Sequence, residues 1–184
     1  MKFLKCYIKL ITIGLHLIIL ALAVVSICFA FNYELFSSSE SALNTYEIYT
    51  MKDLTFTYTG LIDFSNTIID FSNKSTHLNS FINLQNAAND VKAIKCLVIT
   101  LFSMHGLLGV FQLFSYRTKT TFINCFLTTI LLVVLRFACI TSFKETGLIE
   151  ATTTWFVVTL ILWIAATVIS GFQIFLYHYV KKAK

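Results

Sequence analysis

Residues 7–31 read YIKLITIGLHLIILALAVVSICFAF. The only charge in this run is Lys9, near its start. About 20 apolar residues wound as helix cross the roughly 30 Å hydrocarbon core of a bilayer. The run therefore predicts a transmembrane helix. In hydrocarbon every backbone N–H and C=O must be paired within the segment, which also favours helix.

Three further runs of the same kind follow, at residues 93–116, 122–143 and 152–177. The whole chain agrees with them. Of its 184 residues 57% are hydrophobic and 12% are charged, with no proline and 18 phenylalanines. Soluble domains hold about 45–50% apolar and about 25% charged residues. A soluble or disordered class is excluded at this level. The sequence predicts an all-α membrane protein, a four-helix transmembrane bundle.

Charge orients the bundle. Lys2, Lys5, Lys9, Arg117, Lys119, Lys181, Lys182 and Lys184 fall on one side, with no acidic residue among them. Glu34, Glu40, Glu47, Asp53, Asp63, Asp70, Asp90, Glu145 and Glu150 fall on the other. Lys- and Arg-rich flanks remain cytosolic. Residues 1–6, 117–121 and 178–184 are thus expected inside, and residues 32–92 and 144–151 in the extracellular or lumenal space. A competing reading makes the first run a signal peptide cleaved after Ala30, but an apolar signal core is about 7–15 residues long, which favours a retained anchor. The net charge of +5 belongs to this topology and not to nucleic-acid binding.

The first outside loop is about 60 residues long and has no cysteine, so no disulfide steadies it. Leu54-Thr55-Phe56-Thr57-Tyr58 alternates like a short strand. Leu61, Phe64, Ile68 and Phe71 recur at helical spacing, as do Leu78, Phe81, Leu84, Ala87 and Val91. The loop is predicted to hold a short strand and two amphipathic helices lying on the outer membrane face. Asn73-Lys74-Ser75 is a glycosylation sequon on that same side, making Asn73 a candidate glycan site.

Polar residues within membrane runs are the first place to look for function. Arg136 is expected to snorkel outward or to pair with Glu145 or Glu150. His16 and His105 fall near the middle of the first two runs, expected to be antiparallel neighbours, and are weak cofactor-binding candidates for haem or a proton relay. Two histidines without a third ligand make a poor metal site, and no cofactor or metal is expected. Ser26 with Ala30, Ala166 with Ser170, and Thr167 with Gly171 are spaced for close helix approach. Cys6 and Cys125 are palmitoylation candidates near the inner surface. Lys181 and Lys182 resemble a dilysine retrieval signal to the endoplasmic reticulum, against which stands ordinary positive flanking.

Residues 98–101 and 111–116, VITL and FQLFSY, echo residues 157–160 and 172–177, VVTL and FQIFLY. Duplication of two parallel halves and convergence at a membrane interface both produce such an echo.

The layout of four spans with a large first outside loop resembles the claudin and peripheral-myelin-protein group. That group's tryptophan and cysteine pair in the first loop are absent here, so no residue role is carried over. Zinc-protease, nucleophile-elbow, phosphate-loop and dinucleotide signatures are also absent. The expected function is non-enzymatic: an adhesion or junction component, a scaffold, or an accessory subunit. Its expected partners are the lipid bilayer and other membrane proteins, or itself, met through helix faces and the outer loop. The plasma membrane is the expected location, with the endoplasmic reticulum membrane as the alternative. A membrane-embedded redox or transport protein using His16 and His105 is the competing class.

Overall fold

The computed structural model describes residues 2–37, 56–74, 82–114, 118–143, 149 and 151–182, with side chains described for 6–37, 56–70, 90–107, 118–143, 149 and 151–178. Seven elements follow in order: α1 (Lys2–Asn32), β1 (Phe36–Ser37), α2 (Tyr58–Lys74), α3 (Ile82–Phe114), α4 (Thr118–Phe143), β2 (Ala151–Thr152) and α5 (Thr154–Lys182). The fold is mostly helical. Three helices are long and apolar enough to cross a membrane, over Cys6–Asn32, Thr118–Phe143 and Thr154–His178. α3 is longer than any of them, but Asp90, Lys92 and Lys95 interrupt its apolar character.

The helices pack in the order α1, α5, α4, α3, α2, and α1 touches α3 only lightly. Each of the four long helices buries one stripe with three- and four-residue steps. On α1 the stripe is His16, Ile19, Ala23, Ser26 and Ala30. On α3 it is Val91, Ile94, Val98, Leu101 and His105. On α4 it is Thr121, Cys125, Thr128, Leu132, Leu135 and Cys139. On α5 it is Phe156, Thr159, Trp163, Ala166, Ser170 and Gln173. Alternating steps of three and four keep one side of a helix against its neighbours, as in left-handed bundles.

Polarity runs opposite to that of a soluble protein. Ser26, Thr128, Thr159, Ser170 and Gln173 are buried, while Leu10, Leu17, Phe137, Val168, Phe172 and Phe175 are exposed. Several hydroxyls satisfy themselves on the preceding turn: Thr12 donates to the Ile8 carbonyl (2.8 Å), Thr129 to Cys125 (2.9 Å) and Thr167 to Trp163 (2.8 Å).

One end of the bundle is closed by a clasp, and this lid end positions everything that follows. β1 and β2 pair antiparallel, Phe36 opposite Thr152 and Ser37 opposite Ala151. Leu35 N–H donates to the Phe56 carbonyl (2.9 Å), and Thr153 N–H donates to the Leu35 carbonyl (3.0 Å). Thr153 is also the N-cap of α5. Its hydroxyl donates to the Glu34 carbonyl and accepts from Phe156 N–H (3.4 Å). Tyr33 stacks on Trp155 with ring centroids 4.0 Å apart, and Phe29 leans on both.

The loop departs from its expected form. Phe56 and Thr57 are not part of a strand but the entry to α2. Thr57 caps that helix, its hydroxyl accepting from Gly60 N–H (3.1 Å). Strand pairing occurs instead between residues 36–37 and 151–152, which lack alternation long enough to be noticed. The amphipathic pattern at Leu61, Phe64 and Ile68 is helical as expected, and all three are buried. This helix does not lie free on a surface; it packs against α3. The second amphipathic pattern leads straight into the second apolar run, as its position implies: from Ile82 both are one helix, α3, with Val91 buried. Leu54, Thr55, Leu78 and Phe81 lie outside the described residues.

The sequence echo does not mark equivalent positions. Val98 is buried and Val157 exposed, while Thr100 is exposed and Thr159 buried. The two stretches turn opposite faces to the bundle, which favours convergence.

Thr153→Val removes the cap of α5 and the tie to Glu34 while keeping the side-chain shape. It should cost about 1 kcal/mol, read as a lower thermal midpoint of the purified protein, with Thr153→Ser close to wild type.

Candidate functional site

The richest convergence of chemistry lies where α2 docks on the bundle. α2 has a sharp division of faces. Tyr58, Leu61, Phe64, Ser65 and Ile68 are buried, and Asp63, Asn66 and Asp70 are exposed. Burying the apolar face drives docking, at about 1.5–3 kcal/mol for each large side chain. Phe64 meets Phe56 and Phe143 with ring centroids 5.4 and 5.0 Å away. Lys95 of α3 donates to Asn66 Oδ1 (2.6 Å), tying the lid's polar edge.

Tyr58, on the first turn of α2, reaches furthest inward. Its ring packs edge-on against Phe31 (5.6 Å) and His105 (6.0 Å). His105 in turn packs edge-on against Trp163 of α5 (4.6 Å). These three rings come from the lid, α3 and α5, and all are buried. His105 Nδ1 bonds the Leu101 carbonyl one turn back. Tyr58 Oη, His105 Nε2 and Trp163 Nε1 have no partner among the described residues. Leaving such a group unpaired costs about 1–3 kcal/mol. Burial raises the Tyr58 hydroxyl well above its ordinary value, so it remains protonated.

A second polar layer joins α3, α4 and α5. Asn124 Nδ2 donates to the Met104 carbonyl and Thr128 donates to Asn124 Oδ1, both at 3.3 Å. The Thr129 and Thr167 hydroxyls are 3.2 Å apart. Beyond it, Gln173 Nε2 crosses to the Thr12 carbonyl of α1 (3.0 Å).

His16 and His105 are not brought together as a pair. Both are buried on their helices' inward stripes. However, α1 and α3 meet where Phe31 contacts Phe102, at 5.6 Å. His105 is about 4.5 Å of helix rise from that contact and His16 about 22 Å. The rings that touch His105 are Tyr58 and Trp163. Among the described residues no group of three or more His, Cys, Asp or Glu is placed to hold a metal.

The other candidates separate as follows. Arg136 is exposed on the outside of α4, with its guanidinium 5.8 Å from the Phe137 ring centroid. Glu145 and Glu150, its expected partners, lie outside the described residues. Cys6 is exposed on α1, as acylation requires. Cys125, by contrast, is fully buried on the inward stripe of α4. Asn73 sits in the last turn of α2. Lys181 and Lys182 remain within α5, on a helical turn and not in an extended tail. Ser26, Ala30, Ala166 and Ser170 are all buried, and a Cβ on Gly171 would meet Phe122 at 3.4 Å, so these small residues serve packing inside the chain.

Tyr58 and Trp163 are not among the residues that the sequence singles out. Trp163 carried a usable signal, since it stands in the three-four series Thr159, Trp163, Ala166, Ser170 and Gln173, whose polar members must face away from lipid. Tyr58 carried none, because only the fold brings it to His105.

No family model matches the chain, and neither a curated protein nor a solved structure matches it.

Phe64→Ala should loosen the lid, with a loss of about 3–5 kcal/mol. Limited proteolysis should then cut within residues 58–74 under conditions that leave wild type intact.

Proposed function

We propose that the chain is a four-span membrane protein with cytosolic termini, whose first loop forms a folded lid on the extracellular or lumenal side. It acts without catalysis, as an accessory, scaffold or junction component that presents this lid to another membrane protein. The docked α2 carries this reading. Its apolar face is spent on the bundle, so its polar face, with Asp63, Asn66 and Asp70, is held at fixed orientation toward solvent. A rigid, pre-oriented surface loses little conformational entropy on binding.

Helix length supports α3 as the fourth span. Its 33 residues are about 50 Å long. That is enough to cross a roughly 30 Å core and to project beyond it. Asp90, Lys92 and Lys95 then stand in the projecting part, beside the lid. The plasma membrane is the proposed location, where a junction or accessory role needs an outward face.

Topology is tested by single-cysteine labelling in a cysteine-free background. Asp63→Cys should react with an impermeant maleimide added to intact cells, and Lys119→Cys only after permeabilisation. Labelling of both from one side would overturn the map. Glycan processing gives a second reading. A mobility shift lost in Asn73→Gln and resistant to endoglycosidase H supports the cell surface, while sensitivity would place the protein in the endoplasmic reticulum. The functional reading is tested by mild-detergent purification from native membranes. A stoichiometric membrane partner should co-purify with wild type and be lost from the double variant Asp63→Lys, Asp70→Lys. Purification without any partner would sink it.

A further inference from the structure

Among the described residues, six buried polar side-chain atoms find no hydrogen-bond partner. Ser26 and Thr159 make little demand, because a rotation lets a helical hydroxyl bond its own preceding turn. Gln173 is already held through its Nε2. Tyr58, His105 and Trp163 have no such escape. Their polar atoms are fixed on rigid rings, and those rings form one contact chain of 6.0 and 4.6 Å.

Donor and acceptor chemistry narrows what fits them. The Leu101 carbonyl only accepts, so the His105 Nδ1 bonded to it carries the proton. The neutral ring then offers a lone pair at Nε2. Trp163 Nε1 only donates, and the Tyr58 hydroxyl does either. An anion would face the Nε2 lone pair, and a metal ion would find one nitrogen ligand. A hydroxyl group matches the set: its proton goes to Nε2, and its oxygen accepts from Trp163 and Tyr58.

We propose that Tyr58, His105 and Trp163 form a site for one neutral hydroxyl, supplied by an ordered water or by the alcohol of a membrane sterol, which joins the lid to α3 and α5. The two sources enter differently. Water passes the lid. A sterol passes sideways between α1 and α3, where contact is light. The site is independent of which surface the lid presents to a partner.

The test uses the full chain in phosphatidylcholine nanodiscs without sterol, labelled with 15N,13C-histidine and 13C-carbonyl methionine. Met104-His105 is the only Met-His pair, which identifies the His105 signals. Water-edited solid-state NMR should show transfer from water to the His105 ring, with Nε2 unprotonated and shifted to lower frequency than an unbonded nitrogen. Trp163→Phe should lower that transfer severalfold. If the ligand is a sterol alcohol, transfer is absent, Nε2 shifts only when cholesterol is added, and a photoreactive sterol crosslinks to α3 or α5. An Nε2 that stays at the unbonded frequency in both bilayers overturns the proposal, as does a proton on Nε2. The main readout is made on wild type, so a variant that fails to fold leaves it intact.

Discussion

The antiparallel pairing of α1 with α5 is pinned at both ends by hydrogen bonds to backbone carbonyls. At the lid end Thr153 N–H reaches the Leu35 carbonyl, and at the far end Gln173 Nε2 reaches the Thr12 carbonyl. Thr12 is 20 positions before the end of α1 at Asn32, about 30 Å of helix rise, close to the thickness of a hydrocarbon core. Between the pins α1 turns Ile19, Ala23, Ser26 and Ala30 inward, and α5 turns Thr159, Trp163, Ala166 and Ser170 inward. Small residues let the backbones approach, and the large Trp163 fills the space toward α3. With the first and last helices fixed as a unit, α4 is placed by α5, and α3 by α4. The light contact between α1 and α3 is the remaining gap, and the lid closes it at one end with Tyr58, Phe31 and Phe102.

That arrangement explains why the clasp and the lid belong to one structure. Leu35 is bonded on both sides, to Phe56 before the lid and to Thr153 before α5. Three chain segments distant in sequence therefore meet at one buried leucine. Cysteine is absent from the loop, and backbone hydrogen bonds with aromatic packing stand where a disulfide would otherwise hold such a loop. Phe36 against Phe156 and Phe64 against Phe143 attach the clasp and lid to the last two helices.

Much of this was legible in the residues, and the rest was hidden for definable reasons. Uniform apolar runs announce helices because length and backbone pairing leave no alternative. The period of Leu61, Phe64 and Ile68 announced α2 for the same reason that any half-buried helix shows itself. The inward stripes were harder to see, since Leu, Ile and Phe occupy both faces of a helix surrounded by lipid. Only polar members such as Thr128, Ser170 and Gln173 betray the inward side. β1 and β2 were illegible because two-residue strands have no period. Phe56 and Tyr58 alternate with threonines, yet Thr57 is a cap and not a strand position; a cap and a strand share residue types over so short a stretch. His105 shows itself by its chemistry, but its neighbours do not follow from the order of the runs, since α1 and α3 touch only lightly.

On the proposed four-span topology the two parts of the molecule rest on different physics. Where water is the surrounding solvent, burying Phe56, Leu61, Phe64 and Ile68 is itself a driving force. Between helices surrounded by lipid tails that force vanishes, because the tails are as apolar as leucine. Association there depends on close fit and on hydrogen bonds such as Asn124 to Met104, Thr128 to Asn124 and Gln173 to Thr12. Tyr58 stands at the border of the two regimes. Its ring is drawn in with the apolar face of α2, while its hydroxyl arrives beside His105, where a hydrogen bond is stronger in the low-dielectric interior. Lid closure and the polar interior are coupled through this one side chain.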